Sequence, residues 1–157
     1  MATPPSMDEP PSLHAHLVLT SRFENIEIAE RALVDLCDRS GCDGDHRYWI
    51  VTALREAVAN AIRHGNRQDP SRSVRIDYTI ADCVVTIRVE DEGAGFDPAQ
   101  VPDPTDPANL LRPCGRGIFY MRQFMNQVEF SRAPGGGTAV EMVRRLEPQT
   151  RSPGDEE

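Results

Sequence analysis

Along residues 14–21, His14, His16 and Val18 alternate with Ala15, Leu17 and Leu19, the period-two pattern of a strand with one buried face. The period then changes. Ile26, Ala29, Leu33, Leu36 and Cys37 recur at helical spacing across residues 24–40, and Gly41 stands where a helix would stop. A second helix is predicted from about Asp45 to His64, with Ile50, Val51, Leu54, Ala57, Val58, Ala61 and Ile62 forming one apolar stripe. After a polar turn over residues 66–72, two runs rich in valine and isoleucine, 74–80 and 84–90, are separated only by Ala81-Asp82-Cys83 and read as a hairpin.

Residues 97–113 hold five prolines in 17 positions, which rules out a regular helix or a central strand. A structureless loop of that length in a compact domain is usually a lid or a binding loop. Helical spacing returns at 117–126 through Ile118, Met121, Phe124 and Met125. Two closing strands, 127–131 and 138–144, flank Pro134-Gly135-Gly136-Gly137. The order of strand, two helices, hairpin, loop, helix and hairpin predicts an α+β fold, a two-layer α/β sandwich whose mixed, mostly antiparallel sheet is covered by helices on one face. Trp49 and the pair Phe119-Tyr120 are expected in its core. Residues 1–12 and 147–157 are rich in proline, glycine and acid and are expected to be flexible tails, leaving a single domain over 13–146.

Composition narrows the function. With 157 residues, 39% of them hydrophobic and 27% charged, the chain is of a size for one globular domain with a real core. Its formal charge of −8 opposes general attraction to nucleic acid or anionic lipid, so bound phosphate must be held by a local site. No run of about 18 apolar residues is present to span a membrane. The N-terminus lacks the basic flank and apolar stretch of a signal peptide, so a cytoplasmic location is expected. Cys37, Cys42, Cys83 and Cys114 show no C-x-x-C pairing and are expected to be reduced thiols.

Four short segments carry candidate chemistry. Glu56, Asn60 and His64 lie four residues apart, so each step turns by only about 40 degrees and all three project from nearly one line of the second helix. Alone, that line reads as a solvated face. Asp91-Glu92-Gly93-Ala94-Gly95-Phe96 places an acid at a strand end before two glycines that allow a backbone to approach a ligand, although a turn without a ligand would look similar. Gly115-Arg116-Gly117 opens the third helix, where free N–H groups, the helix dipole and an arginine suit phosphate. Gly135-Gly136-Gly137-Thr138 reads equally as a hairpin turn or a contact.

In their order and spacing these segments resemble the GHKL superfamily of ATP-binding domains, over roughly Leu13 to Leu146. The run Glu56-Ala57-Val58-Ala59-Asn60-Ala61-Ile62-Arg63-His64-Gly65, with its Glu four residues before the Asn, looks most like the bacterial anti-sigma-factor serine/threonine kinases, the RsbW-like group. The short lid from Asp103-Pro104 through Leu110-Leu111-Arg112-Pro113 into Gly115 looks like that group too. Glu92 and Cys114 depart from it, since many relatives carry a small or neutral residue at the first position and serine is frequent at the second.

The resemblance implies a Bergerat-type fold and a set of roles. Asn60 would ligate Mg2+ through its side-chain oxygen. Asp91 would accept the exocyclic amine of adenine, Gly93 and Gly95 would keep the base pocket open, and Thr138 would complete it. Gly115, Arg116 and Gly117 would hold the ATP phosphates. Glu56, one turn before the metal ligand, would be the general base that takes the proton of an attacking hydroxyl. His64 is left between a structural hydrogen bond and nucleotide contact, and Arg112 between lid and partner. The implied activity is phosphorylation of a small anti-anti-sigma (STAS-type) partner paired with capture of a sigma factor. Homodimers are common in the group, while direct nucleic-acid or membrane partners are not expected. The alternative is a nucleotide-dependent protein-binding switch with little or no kinase activity.

Overall fold

The computed structural model describes residues 12–42, 44–94 and 116–146. Strand β1 (Leu13–Thr20) alternates as expected, with Leu13, Ala15, Leu17 and Leu19 turned inward and half-buried. A single 3-10 turn leads into helix α1 (Ile26–Ser40), which buries Ala29, Leu33, Leu36 and Cys37 and ends at Gly41 in the left-handed conformation, φ 75°. Helix α2 (Gly44–Asn60) buries Ile50, Ala53, Leu54, Ala57 and Val58. Strands β2 (Ser73–Ala81) and β3 (Val84–Glu90) follow, then helix α3 (Arg116–Phe124) and strands β4 (Gln127–Arg132) and β5 (Thr138–Arg145).

The second helix does not reach His64 in α geometry. From Ala61 to Gly65 it widens into a π turn, in which the N–H of Asn66 donates to the carbonyl of Ala61 at 2.8 Å, five residues back. Such insertions inside α-helices concentrate at functional sites. Here the wider turn carries Gly65 and Asn66 into the interior, while Arg63 and His64 stay exposed.

The sheet order is β1-β2-β3-β5-β4. Every neighbouring pair is antiparallel, so the expected mixed sheet is corrected to an antiparallel one among the described strands. The reason is topological. The chain crosses through α3 from β3 to β4, which point the same way, and β5 then returns between them. The hairpin joining β2 to β3 turns on Asp82 and Cys83, both at positive φ (50° and 60°), a two-residue loop whose twist matches that of its strands.

The three helices cover one face. Val74, Ile76, Tyr78 and Ile80 of β2 and Val85, Ile87 and Val89 of β3 meet the buried residues of α1 and α2 there. Tyr78, fully buried, donates its hydroxyl to the carbonyl of Ala29 at 2.7 Å, so burial of its ring carries no unpaired polar group. The opposite face is polar. His16 bonds Asp77 of the neighbouring strand at 2.6 Å, and Arg88 bonds Glu90 along β3 at 2.7 Å. No helix among the described residues is long and apolar enough to cross a membrane.

Trp49, Phe119 and Tyr120 correct the expectation of core aromatics. Tyr120 is 41% exposed, Trp49 and Phe119 are half-buried, and Trp49 and Tyr120 both stack on Phe124 at the α2–α3 surface. The Arg144 guanidinium lies 4.6 Å from the Trp49 ring, an arrangement that tolerates partial exposure because cation and ring stabilise each other. Cys37 and Cys42 are buried, Cys83 is exposed, and none of the three is in a disulfide. The adjacent Cys42 thiol and then burial hold the Cys37 thiol far above the ordinary thiol range, so it stays protonated.

Candidate functional site

A recess opens where α2 and α3 sit over the β3–β5 part of the sheet. Its enclosed part is narrow, about 10 Å3, and the open groove around it brings the empty space to about 240 Å3. Ala57 of α2, Ala61 of the π turn, Met121 of α3, Phe130 of β4 and the sheet residues Val89 and Val140 form apolar walls, and Asn60, Asp91 and Thr138 supply the polar groups. Apolar walls with a few convergent polar atoms are the usual make-up of a small-molecule site.

At one end stands Asp91, immediately after β3 and only 6% exposed. Its Oδ1 accepts the N–H groups of Gly93 and Thr138, each at 3.0 Å, and its own N–H donates to the Thr138 carbonyl at 2.9 Å. Burial raises its carboxyl above the ordinary value of 3.8, opposed by the Thr138 and Gly93 N–H groups and by the nearby Arg72 charge. The backbone is packed closely around it. A Cβ on Gly65 would overlap the Asp91 carboxylate, and one on Gly93 would overlap the Gly65 carbonyl. Glycine is therefore needed at both positions for two backbones to meet, which places Gly93 as a support of the Asp91 turn.

Asn60 also lines the recess, with Glu56 one turn earlier on the same line of α2, and both are half-buried. The start of α3 is set against them. A Cβ on Gly117 would lie 2.7 Å from Glu56 Oε2 and 3.4 Å from Asn60 Nδ2. Among the described residues, no hydrogen bond or ion pair holds either side chain. His64, on the exposed side of the π turn, does not join them.

Of the residues singled out in the sequence, Asn60, Asp91 and Thr138 line one recess, Glu56 and Gly117 adjoin Asn60, and Gly93 braces Asp91. Arg116 opens α3. Gly95, Gly115, Arg112, Cys114, the proline-rich loop and, Ser12 apart, both tails lie outside the described residues. Sequence reasoning missed Met121 and Phe130 as walls, because their apolar periodicity is the same whether they face a core or a recess. It also missed Asn66, which is fully buried and bonded to Ser21, Ser73 and Glu92. Its only signal was a polar residue directly after the Glu56 to Gly65 run.

Among the described residues no group of three or more His, Cys, Asp or Glu is gathered around a metal site. The donor at hand is the amide oxygen of Asn60. A single hard oxygen fits an ion such as Mg2+ that keeps waters and phosphates as its remaining ligands, and does not fit an all-protein cage.

Residues 19–144 match the family model described as the histidine kinase-like ATPase domain. The chain is 33% identical over 133 residues to the anti-sigma F factor of Oceanobacillus iheyensis, covering 83% of this chain and 90% of that protein. It is 30% identical over 134 residues to the anti-sigma F factor of Bacillus subtilis, covering 83% and 91%. The fold is similar, with a TM-score of 0.59 and 20% identity, to a crystal structure of the RsbU and RsbW domains of a Mycobacterium tuberculosis protein. That match spans 87% of this chain and 32% of the longer one.

Proposed function

The chain belongs to the histidine kinase-like ATPase family, and from that premise we propose that it is an ATP- and Mg2+-dependent serine/threonine protein kinase of the anti-sigma type. It phosphorylates a small anti-anti-sigma (STAS-type) partner and sequesters a sigma factor, acting in the cytoplasm. The observation that carries the kinase reading is the position of Glu56, one helical turn before Asn60 and facing the start of α3 at Gly117. A site that only bound nucleotide would need no carboxylate there.

In this reading adenine lies in the apolar recess with its amine toward Asp91, and the phosphates extend along α2 toward the start of α3. Asn60 would hold the Mg2+, whose charge would offset that of the phosphates. Glu56 accepts the proton of a partner serine or threonine hydroxyl as its oxygen attacks the γ-phosphorus, and ADP leaves with the electrons of the broken P–O bond. The apolar walls from Ala57, Met121 and Phe130 exclude water from the base.

The test has two arms. ATP affinity is measured with and without Mg2+, and labelled ATP is incubated with the chain and candidate STAS-type proteins. The reading expects Mg2+-dependent binding and label on a partner serine or threonine. Equal affinity in the two conditions would remove Asn60 from a metal role. Tight ATP binding without transfer to any partner would instead make the chain a nucleotide-dependent protein-binding switch.

A further inference from the structure

Asn66 is a fully buried amide in which both the donor and the acceptor side are engaged. Its Nδ2 donates to Ser21 Oγ at 2.8 Å and to the Ser73 carbonyl at 3.0 Å. Its Oδ1 accepts the backbone N–H of Glu92 at 2.7 Å. Glu92 closes the loop, because its Oε2 accepts the N–H of Ser73 at 2.7 Å. Ser21 is itself tied to the Arg72 carbonyl through its hydroxyl at 2.7 Å. One side chain at the end of the π turn thus joins the end of β1, the start of β2 and the turn after β3.

The bond to Glu92 falls beside the base end of the recess. Asn66 Oδ1 fixes the N–H of residue 92, and Asp91 Oδ1 fixes that of residue 93. The neighbouring Gly65 packs directly on Asp91 and Gly93. Two consecutive residues of the π turn therefore set three consecutive residues of the turn that presents the Asp91 carboxylate. The same helix carries Glu56 and Asn60 fewer than three turns earlier. Glu92 is directed to Ser73, outside the recess lining, and forms the outer half of this clasp.

We infer that Asn66 and Glu92 are positioning residues for recognition of the nucleotide base, setting the Asp91 carboxylate at the distance and angle that distinguish an exocyclic amine from a carbonyl oxygen. The inference rests on the reading of Asp91 as the adenine-binding group. Base discrimination through a buried polar atom depends steeply on geometry, because a shifted acceptor leaves an unmatched group on both sides of the contact.

The test compares affinities for ATP and GTP, at equal Mg2+, in the wild-type chain and in Asn66→Ala, Glu92→Ala and Asp91→Asn. A merely structural role would lower both affinities by the same factor through loss of folded protein and leave their ratio unchanged. The positioning role expects the ATP:GTP ratio to fall about 10-fold in Asn66→Ala, the change expected from losing one buried hydrogen bond. It expects a smaller fall, about threefold, in Glu92→Ala, whose side chain is exposed and bonds one N–H. Should Asn66→Ala fail to fold, Glu92→Ala decides alone. A wild-type ratio in the folded variants overturns the inference while Asp91→Asn still loses discrimination. A wild-type ratio in Asp91→Asn overturns the base reading beneath it.

Discussion

Around Asp91 the backbone holds everything in place. Its carboxylate is bonded to two N–H groups, Gly65 and Gly93 meet without room for a Cβ, and Asn66 and Glu92 pin the turn to β1 and β2. At the second end, where α2 faces the start of α3, Glu56 and Asn60 are half-buried side chains of one helix beside Gly117 with no described partner. Rigid construction at the first end suits a task of discrimination, in which a fixed acceptor must accept one base and refuse another. Under the proposed function, the second end leaves a carboxylate and an amide to meet phosphate, metal and an incoming hydroxyl. Substitutions at the two ends should therefore fail differently, the first through the fold and base choice, the second through the rate.

Gly93→Ala should have the largest effect on the fold. Its Cβ would meet the backbone carbonyl of Gly65, which cannot rotate away, and overpacking of that kind costs about 3 kcal/mol. Chemical denaturation would show it as a lower midpoint at unchanged slope, and a wild-type midpoint would mean that the Asp91 turn is less rigid than described.

Gly117→Ala is the matched change at the other end. The added Cβ crowds the tip of the Glu56 side chain, which can move, and reaches Asn60 Nδ2 only at contact distance, while alanine favours the helix by about 1 kcal/mol. Stability should therefore stay within about 1 kcal/mol of wild type, while displacement of Glu56 lowers phosphoryl transfer about 10-fold, of the order seen when a positioned group is misplaced. An unfolded Gly117→Ala, or one with full transfer, would erase the contrast between the ends.

The smallest effect is expected for the stability of Asp91→Asn, and its sign depends on pH. Burial raises the Asp91 carboxyl in the folded state, so the folded chain holds its proton to higher pH than the unfolded chain. This group's stability contribution is therefore most favourable below the ordinary value of 3.8 and declines as pH rises through the raised folded value. Asn, keeping an oxygen for Gly93 and Thr138, removes that decline. Thermal melts should show Asp91→Asn at least as stable as wild type at neutral pH, with the difference shrinking on acidification. Equal pH profiles for the two proteins would remove Asp91 as the source of that dependence.

Much of the fold was legible because its cause is local. Alternation marked β1, helical spacing ending at Gly41 marked α1, and the two valine- and isoleucine-rich runs about Asp82-Cys83 marked the β2–β3 hairpin. The insertion of β5 between β3 and β4 was not legible, since pairing between distant strands leaves no trace in the period of either. Nor was the π turn, because Ala61 and Ile62 continue the α stripe without a break. At the candidate site, the alignment of Glu56 with Asn60 follows from helical arithmetic alone. The Gly65–Gly93 contact and the bonds of Asn66 link positions as far apart as Ser21 and Glu92, and only the assembled sheet brings them together. Trp49 and Tyr120 misled because large aromatics read as core, whereas Phe124 and Arg144 give them a stacked surface position.

The division of labour between the two ends is tested most directly by Glu56→Gln, with ATP affinity and partner phosphorylation measured on the same protein sample. Glutamine keeps the shape and much of the hydrogen bonding of the carboxylate but cannot take the hydroxyl proton. A general base contributes about 100-fold to 10,000-fold in rate, so under the proposed roles transfer should fall by that factor while ATP affinity stays near wild type. Transfer at the wild-type rate, or loss of binding and transfer together, would contradict the account.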